Sequence, residues 1–172
     1  MAAQAPGGVL ALDLALSTGW CYGVVGAEQP LAGTWLLRDP DAPISTADDV
    51  GEPCLALDNE LHDAIRRYRP GLVIMEAPLR HVSHRLLLGL AAHVESCCAR
   101  NDRLPCEEAE VNHVRLNVLG RYRFPKGQVK FHVRRWCEWR GWQVGTLDEA
   151  DARVLWQFKC DQLLAQRAAT AA

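Results

Sequence analysis

Val9-Leu10-Ala11-Leu12-Asp13-Leu14-Ala15-Leu16-Ser17-Thr18-Gly19-Trp20 is an apolar run that carries one carboxylate, Asp13, and passes into a small-residue segment. A second apolar run follows to Val25, so 10–15 and 20–25 read as strands joined through Ser17-Thr18-Gly19. A lone Asp in a strand that reads as buried is costly unless something compensates it. Two compensations are open. Asp13 caps the Ser-Thr-Gly turn through backbone hydrogen bonds, as Asp often does, or it coordinates a metal ion.

Working outward, Leu31–Leu37 is a third strand, and the short connections between the three imply an antiparallel meander. Arg38 to Gly51 is rich in Asp, Pro, Ser and Thr and reads as an exposed loop. From Pro53 to Tyr68 the residues Leu57, Leu61, Ile65 and Tyr68 recur at helical spacing, and Arg69-Pro70-Gly71 ends the helix. Leu72-Val73-Ile74-Met75-Glu76 is an apolar, β-branched run without alternation, as in the interior of a mixed α/β sheet. A helix is expected over 80–100, a strand over 106–111, a helical turn over 114–119 and a helix over about 125–140. A short strand at Trp142–Val144 and a final helix from Asp148 to about Gln166 complete the chain. The fold class is α/β: a mixed sheet with three antiparallel strands, then alternating strands and helices packed on both faces. One domain over 1–172 is expected, with flexible tails at about 1–8 and 168–172, the latter Ala-rich.

Composition is ordinary for a globular protein, with 49% hydrophobic and 23% charged residues. No apolar run approaches the roughly 18 residues that span a bilayer, and residues 1–8 lack the features of a signal peptide. No membrane association and a cytoplasmic location are expected. The seven cysteines form no CxxC pair or zinc-ligand cluster, so they read as reduced thiols. Charge is uneven. Residues 111–172 hold 11 basic against 5 acidic side chains, and the rest of the chain 8 against 16, for the net −2. Within 111–147, eight basic residues face Glu138 alone, a bias that suits phosphate binding or an ordinary solvated helix face.

Two features join Asp13. Glu76 ends the second buried strand, and Asp148 and Asp151 open the last helix, three residues apart and so on one face. That face continues through Val154, Leu155, Phe158 and Gln162, which points it inward. Four carboxylates at one place would repel one another, and a pair of divalent cations would remove the repulsion. Oxygen ligands select Mg²⁺, or Mn²⁺ in its place, over Zn²⁺. Asp148 and Glu149 also suit a helix's first turn, and Thr146 with Glu149 fits a capping box, which leaves Glu149 outside the acidic set.

In these motifs the chain resembles the RuvC-type Holliday junction resolvases of the RNase H-like nuclease superfamily, particularly their phage-type versions. The resemblance rests on Asp13 with the following Thr18-Gly19, on Val73-Ile74-Met75-Glu76, on Val118-Leu119-Gly120 with Lys126-Gly127-Gln128-Val129-Lys130, and on Asp148-Glu149-Ala150-Asp151-Ala152. It implies an RNase H-like fold and a homodimer that introduces paired nicks across a four-way DNA junction. Asp13, Glu76, Asp148 and Asp151 would be the catalytic carboxylates holding two Mg²⁺ ions per site, in two-metal hydrolysis that leaves 5′-phosphates. Lys126 matches a basic position of the family near the scissile phosphate. Where the family usually has a Gly two residues after the first Asp, this chain has Ala15. Arg80, Arg121, Arg123, Lys126, Lys130 and Arg134 would bind DNA, with His81 and His84 nearby; Tyr122, Phe124 and Trp136 are candidates to stack on bases. Trp136 at helical spacing from Val129 and Val133 also suits the core, and Trp139 and Trp142 suit packing or a dimer contact. A related nuclease acting on flaps or forks and a non-catalytic DNA-binding protein of the same fold are the alternatives. A phage or bacterial source would suit the resemblance.

Overall fold

The computed structural model describes residues 7–39, 48–78 and 85–171. Five strands form one mixed sheet in the order β3-β2-β1-β4-β5: β1 (Val9–Asp13), β2 (Ser17–Gly23), β3 (Leu31–Leu36), β4 (Leu72–Glu76) and β5 (Cys106–Ala109). The first three pair antiparallel, and β4 and β5 add in parallel to the free edge of β1. Five helices accompany them: α1 (Asp48–Tyr68), α2 (Arg85–Arg100), α3 (Val111–Leu119), α4 (Val129–Trp139) and α5 (Leu147–Ala171).

Side-chain alternation along the strands divides the core into two layers. Leu10, Leu12, Val73 and Met75 face α1 and α2, where Leu57, Leu61, Leu90 and Val94 complete an apolar layer. Val9, Ala11, Leu72 and Ile74 face the other way, onto α5 and the α3–α4 pair, with Trp156, Phe158 and Val133. Asp13 is the next residue in the Val9–Ala11 register, and Glu76 is the next in the Leu72–Ile74 register. The pleat therefore turns both carboxylates towards α5 at the C-terminal ends of adjacent parallel strands.

Several expectations are corrected. Ser17-Thr18-Gly19 is the start of β2, and the turn lies at 14–16. Thr18, fully buried, closes that turn: its Oγ1 donates to the Ala15 carbonyl at 2.6 Å and accepts from the Ala15 N–H at 3.4 Å. Ala15 is not among the described residues with left-handed backbone, so this turn needs no glycine. The expected loop over 38–51 gives way to α1 from Asp48, and its residues 40–47 lie outside the described residues; Pro53 is tolerated near the helix start, where little of the ladder precedes it. The segment at 142–144 forms no strand. Trp142 is buried between Trp136 and Trp156 and donates its indole N–H to the Glu28 carbonyl at 2.7 Å, so packing holds it where a ladder was expected. Pro125 does not open α4, because Gly127 takes a left-handed φ of 77° and the helix starts at Val129. The Ala-rich tail continues α5 to Ala171, as the strongest helix former would. The first residues of the helix expected over 80–100, with Arg80, His81 and His84, lie outside the described residues. Among those residues no helix is long and apolar enough to cross a membrane.

Candidate active site

The site begins with a close approach of backbones. Gly19 lies opposite Asp13 in the β1–β2 register, and a Cβ built on it would stand 1.9 Å from the Asp148 carbonyl oxygen. Only a glycine lets α5 start against β2 at this height. Further along, Gly23 lies under the Trp156 ring and its carbonyl accepts the indole N–H at 3.1 Å. The start of α5 is thereby laid across the strand next to Asp13.

The first turn of α5 is then locked from the far side. Thr146 Oγ1 accepts the Glu149 N–H at 3.0 Å, and Glu149 Oε2 accepts the Gly145 N–H at 3.0 Å. This is the expected capping box with its return arm moved one residue upstream. Glu149 Oε1 also accepts from Arg153 Nε at 3.0 Å, in a pair about one-tenth exposed on each side. Arg153 reaches on to the Pro30 and Gln143 carbonyls at 3.1 and 3.3 Å. Glu149 is thus a structural residue held by Gly145 and Arg153. Asp148 instead meets Ser17 of β2 and Lys130 of α4, and Asp151 acts on both Asp13 and Glu76.

Asp13 and Glu76 line one small cleft of about 80 Å³ with Leu14, Ala77, Pro78 and Leu87. The four carboxylates influence one another. Burial pushes the Asp13 carboxyl well above its ordinary range, Asp151, Glu76 and Asp148 push it further, and Lys130 opposes them. Glu76 is pushed up to about 7 by burial, with Arg115 opposing, Asp151 adding and Lys130 opposing. Asp151 is raised by burial against the pull of Lys130 and Arg115. The site holds more negative charge than its surroundings balance.

Two cations face this charge. Lys130 donates to Asp148 Oδ1 at 3.0 Å; burial lowers its own pKa, but that bond and the nearby carboxylates outweigh burial and raise it. Ser17 Oγ donates to the other oxygen, Asp148 Oδ2, at 2.8 Å. Arg115, half-buried on α3, is the second cation. Sequence reading passed over Ser17 and Arg115 as site residues. The only available signal for Arg115 was its place in the basic segment.

The basic candidates divide. Lys130 sits at the carboxylates, whereas Lys126 is exposed on the turn before α4, one helical turn short of it. Arg121 and Arg123 are exposed, Arg121 over the Phe124 ring and Arg123 over the Tyr122 ring. Arg134 is exposed and paired with Glu138 at 3.0 Å. Arg80 lies outside the described residues. Trp136 is half-buried against the core.

As a donor set the four carboxylates are all-oxygen, which suits a hard divalent cation. Among the described residues no three His, Cys, Asp or Glu groups are already gathered closely enough to enclose an ion. The excess negative charge and the Lys130 counter-ion mark where a cation would be held.

No protein-family model matches the chain, and no curated protein matches it. Solved structures do. Thermus thermophilus RuvC in complex with a Holliday junction substrate is 18% identical with a TM-score of 0.64, over 88% of this chain and 92% of that one. A further Thermus thermophilus RuvC structure is 16% identical with a TM-score of 0.64, over 92% and 96%. The yeast mitochondrial Holliday junction resolvase Ydc2 is 14% identical with a TM-score of 0.61, over 95% and 82%. The fold is therefore the RuvC, RNase H-like one expected from the motifs.

Proposed function

We propose that the protein is a divalent-cation-dependent endonuclease that resolves four-way DNA junctions by paired nicks, working as a homodimer. The observation that supports the reading is that Asp13 and Glu76 end two adjacent parallel strands on the face turned to α5, where Asp151 raises the pKa of both and Asp148 that of Asp13. The likeness to RuvC in complex with a Holliday junction substrate and to a yeast mitochondrial Holliday junction resolvase supports a branched-DNA substrate.

In this reading Asp13, Glu76, Asp148 and Asp151 are the residues that would hold the divalent cations. When bound, a pair of Mg²⁺ ions supplies water activation and neutralises the departing 3′-oxygen, giving 5′-phosphate products. Mn²⁺ would substitute. The chain's own groups do the rest. Ser17 fixes the rotamer of Asp148. Lys130, which donates to Asp148 at 3.0 Å, is the cation placed to meet a backbone phosphate brought to the carboxylates. Arg115 offsets charge beside Glu76 and Asp151. Arg121, Arg123 and Lys126 supply sequence-independent phosphate contacts.

The test is cleavage of a synthetic four-way junction beside a flap and a linear duplex of equal length. Asp13→Asn and Asp151→Asn, confirmed folded, are expected to bind the junction as wild type does and to lose at least about a hundredfold in cutting, since each removes a metal-binding oxygen. Full cutting by both variants would overturn the two-metal assignment. Equal cutting of all three DNAs by wild type would overturn the junction preference.

A further inference from the structure

The outward face of α4 carries two large aromatic residues that the core does not use. Val133 and Cys137 turn inward, and Cys137 Sγ lies 3.7 Å from the Ala150 carbonyl, so the opposite face is fixed outward. On that face Phe131, Arg135 and Trp139 follow one another at intervals of four, which stacks them in one stripe. Phe131 is 57% exposed and Trp139 78%. The Arg135 guanidinium lies 5.7 Å from the Phe131 ring centre, and among the described residues no ring or cation is stacked on Trp139.

The surroundings choose the occupant. Between 111 and 147 the only acidic residue is Glu138, which Arg134 already engages. A second copy of this surface would bring like charge against like charge, whereas a polyanion with exposed π-faces would satisfy both the arginines and the rings. Phe131 and Trp139 stand about 12 Å apart along the helix axis, room for roughly three stacked bases. The helix enters the acidic site at Lys130, immediately before the stripe.

We propose that this stripe is a stacking platform for unpaired bases at a branch point. Phe131 and Trp139 hold bases, Arg135 holds the phosphates between them, and α4 couples that hold to Lys130. The inference rests on the proposed junction-binding function and extends it to a residue-level preference for DNA with unstacked bases over intact duplex.

The test uses the full chain, with Ca²⁺ in place of Mg²⁺ to prevent cutting. The probes are a synthetic four-way junction with two unpaired nucleotides at its centre and an intact duplex of the same length. Phe131→Ala/Trp139→Ala is expected to weaken junction binding about a hundredfold, about tenfold for each ring, and duplex binding less than about twofold. Trp139→Phe is expected to retain most of the affinity while losing the fluorescence quenching that junction binding causes in wild type. Matching circular dichroism and melting temperature keep folding out of the comparison. Wild-type junction affinity in the double variant overturns the platform while leaving the nuclease reading intact. Conversion of a dimer to a monomer by the double variant, seen by sedimentation, assigns the stripe to a second copy and also overturns it. Failure of wild type to bind the junction at all overturns the nuclease reading and the platform together.

Discussion

Asp13 and Glu76 are held where burial and neighbouring carboxylates oppose their ionisation, and this gives the metal-free protein a pH signature. Glu76 sits at about 7 in the folded state against an ordinary value of 4.5. Between those values the folded state binds a proton that the unfolded state has released, so stability falls as pH rises from about 4.5 to about 7. The loss is on the order of 3 kcal/mol from Glu76, with Asp13 and Asp151 adding in the same direction. In EDTA the melting temperature is expected to drop between pH 5 and pH 8, and millimolar Mg²⁺ to recover most of the drop at pH 8. A melting temperature flat across that range would contradict the charge crowding. For the same reason Asp13→Asn is expected to stabilise the metal-free protein at pH 8 by about 1–2 kcal/mol in urea titration while removing activity. Gly19 works in the opposite sense. Gly19→Ala would drive a methyl into the Asp148 carbonyl, and a loss of more than about 3 kcal/mol is expected, with Mg²⁺-induced stabilisation lost as well.

At the scale of elements, the start of α5 does the positioning. The Glu149–Arg153 pair ties it to the β2–β3 connection at Pro30 and to the segment before the helix at Gln143. Breaking one side leaves a buried charge, so Glu149→Gln is expected to cost about 3–5 kcal/mol, and Glu149→Gln/Arg153→Met clearly less than the two single losses combined. Chemical denaturation of the four proteins measures this. The same elements show what was legible beforehand. A carboxylate in or at the end of an apolar strand singled out Asp13 and Glu76, and spacing of three joined Asp148 to Asp151; both are local signals that hold whatever surrounds them. The strand pairing that turns Asp13 and Glu76 to one face became visible only in the sheet. The turn after Asp13 was misplaced because Thr18 closes it with a hydroxyl, and Thr18 reads equally well as turn or strand. Lys130 was grouped with Lys126 because only the left-handed Gly127 decides where α4 begins. Arg115 could not be assigned from spacing, because nothing in the sequence of α3 states that it packs on α5 with Arg115 turned to the carboxylates. Trp142 read as strand because apolar, aromatic segments do, whether a ladder or a cavity receives them.

Across the whole molecule, the two faces of the sheet have separate work. The α1–α2 face is closed by aliphatic side chains and cysteines with Trp20, Tyr22, Trp35 and Tyr68 stacked beside them, and the α3–α4–α5 face carries the carboxylates, both cations and the outward aromatic stripe. The acidic half of the chain supplies Asp13 and Glu76, and the basic half supplies the cations, the stripe and the last two carboxylates. The charge imbalance seen in the sequence is therefore folded into a boundary, with the candidate site lying on it.

That α5 crosses β1 and β2 with its first turn sealed against Gly19 has a consequence for the order in which the protein is made. The strand that carries Asp13 leaves the ribosome early, but its acidic partners on α5 are among the last parts to follow. A nascent or prematurely terminated chain lacks Asp148 and Asp151 and the helix that covers Asp13. The acidic set is therefore completed only when the last helix docks, so any chemistry that needs all four carboxylates waits for the end of folding.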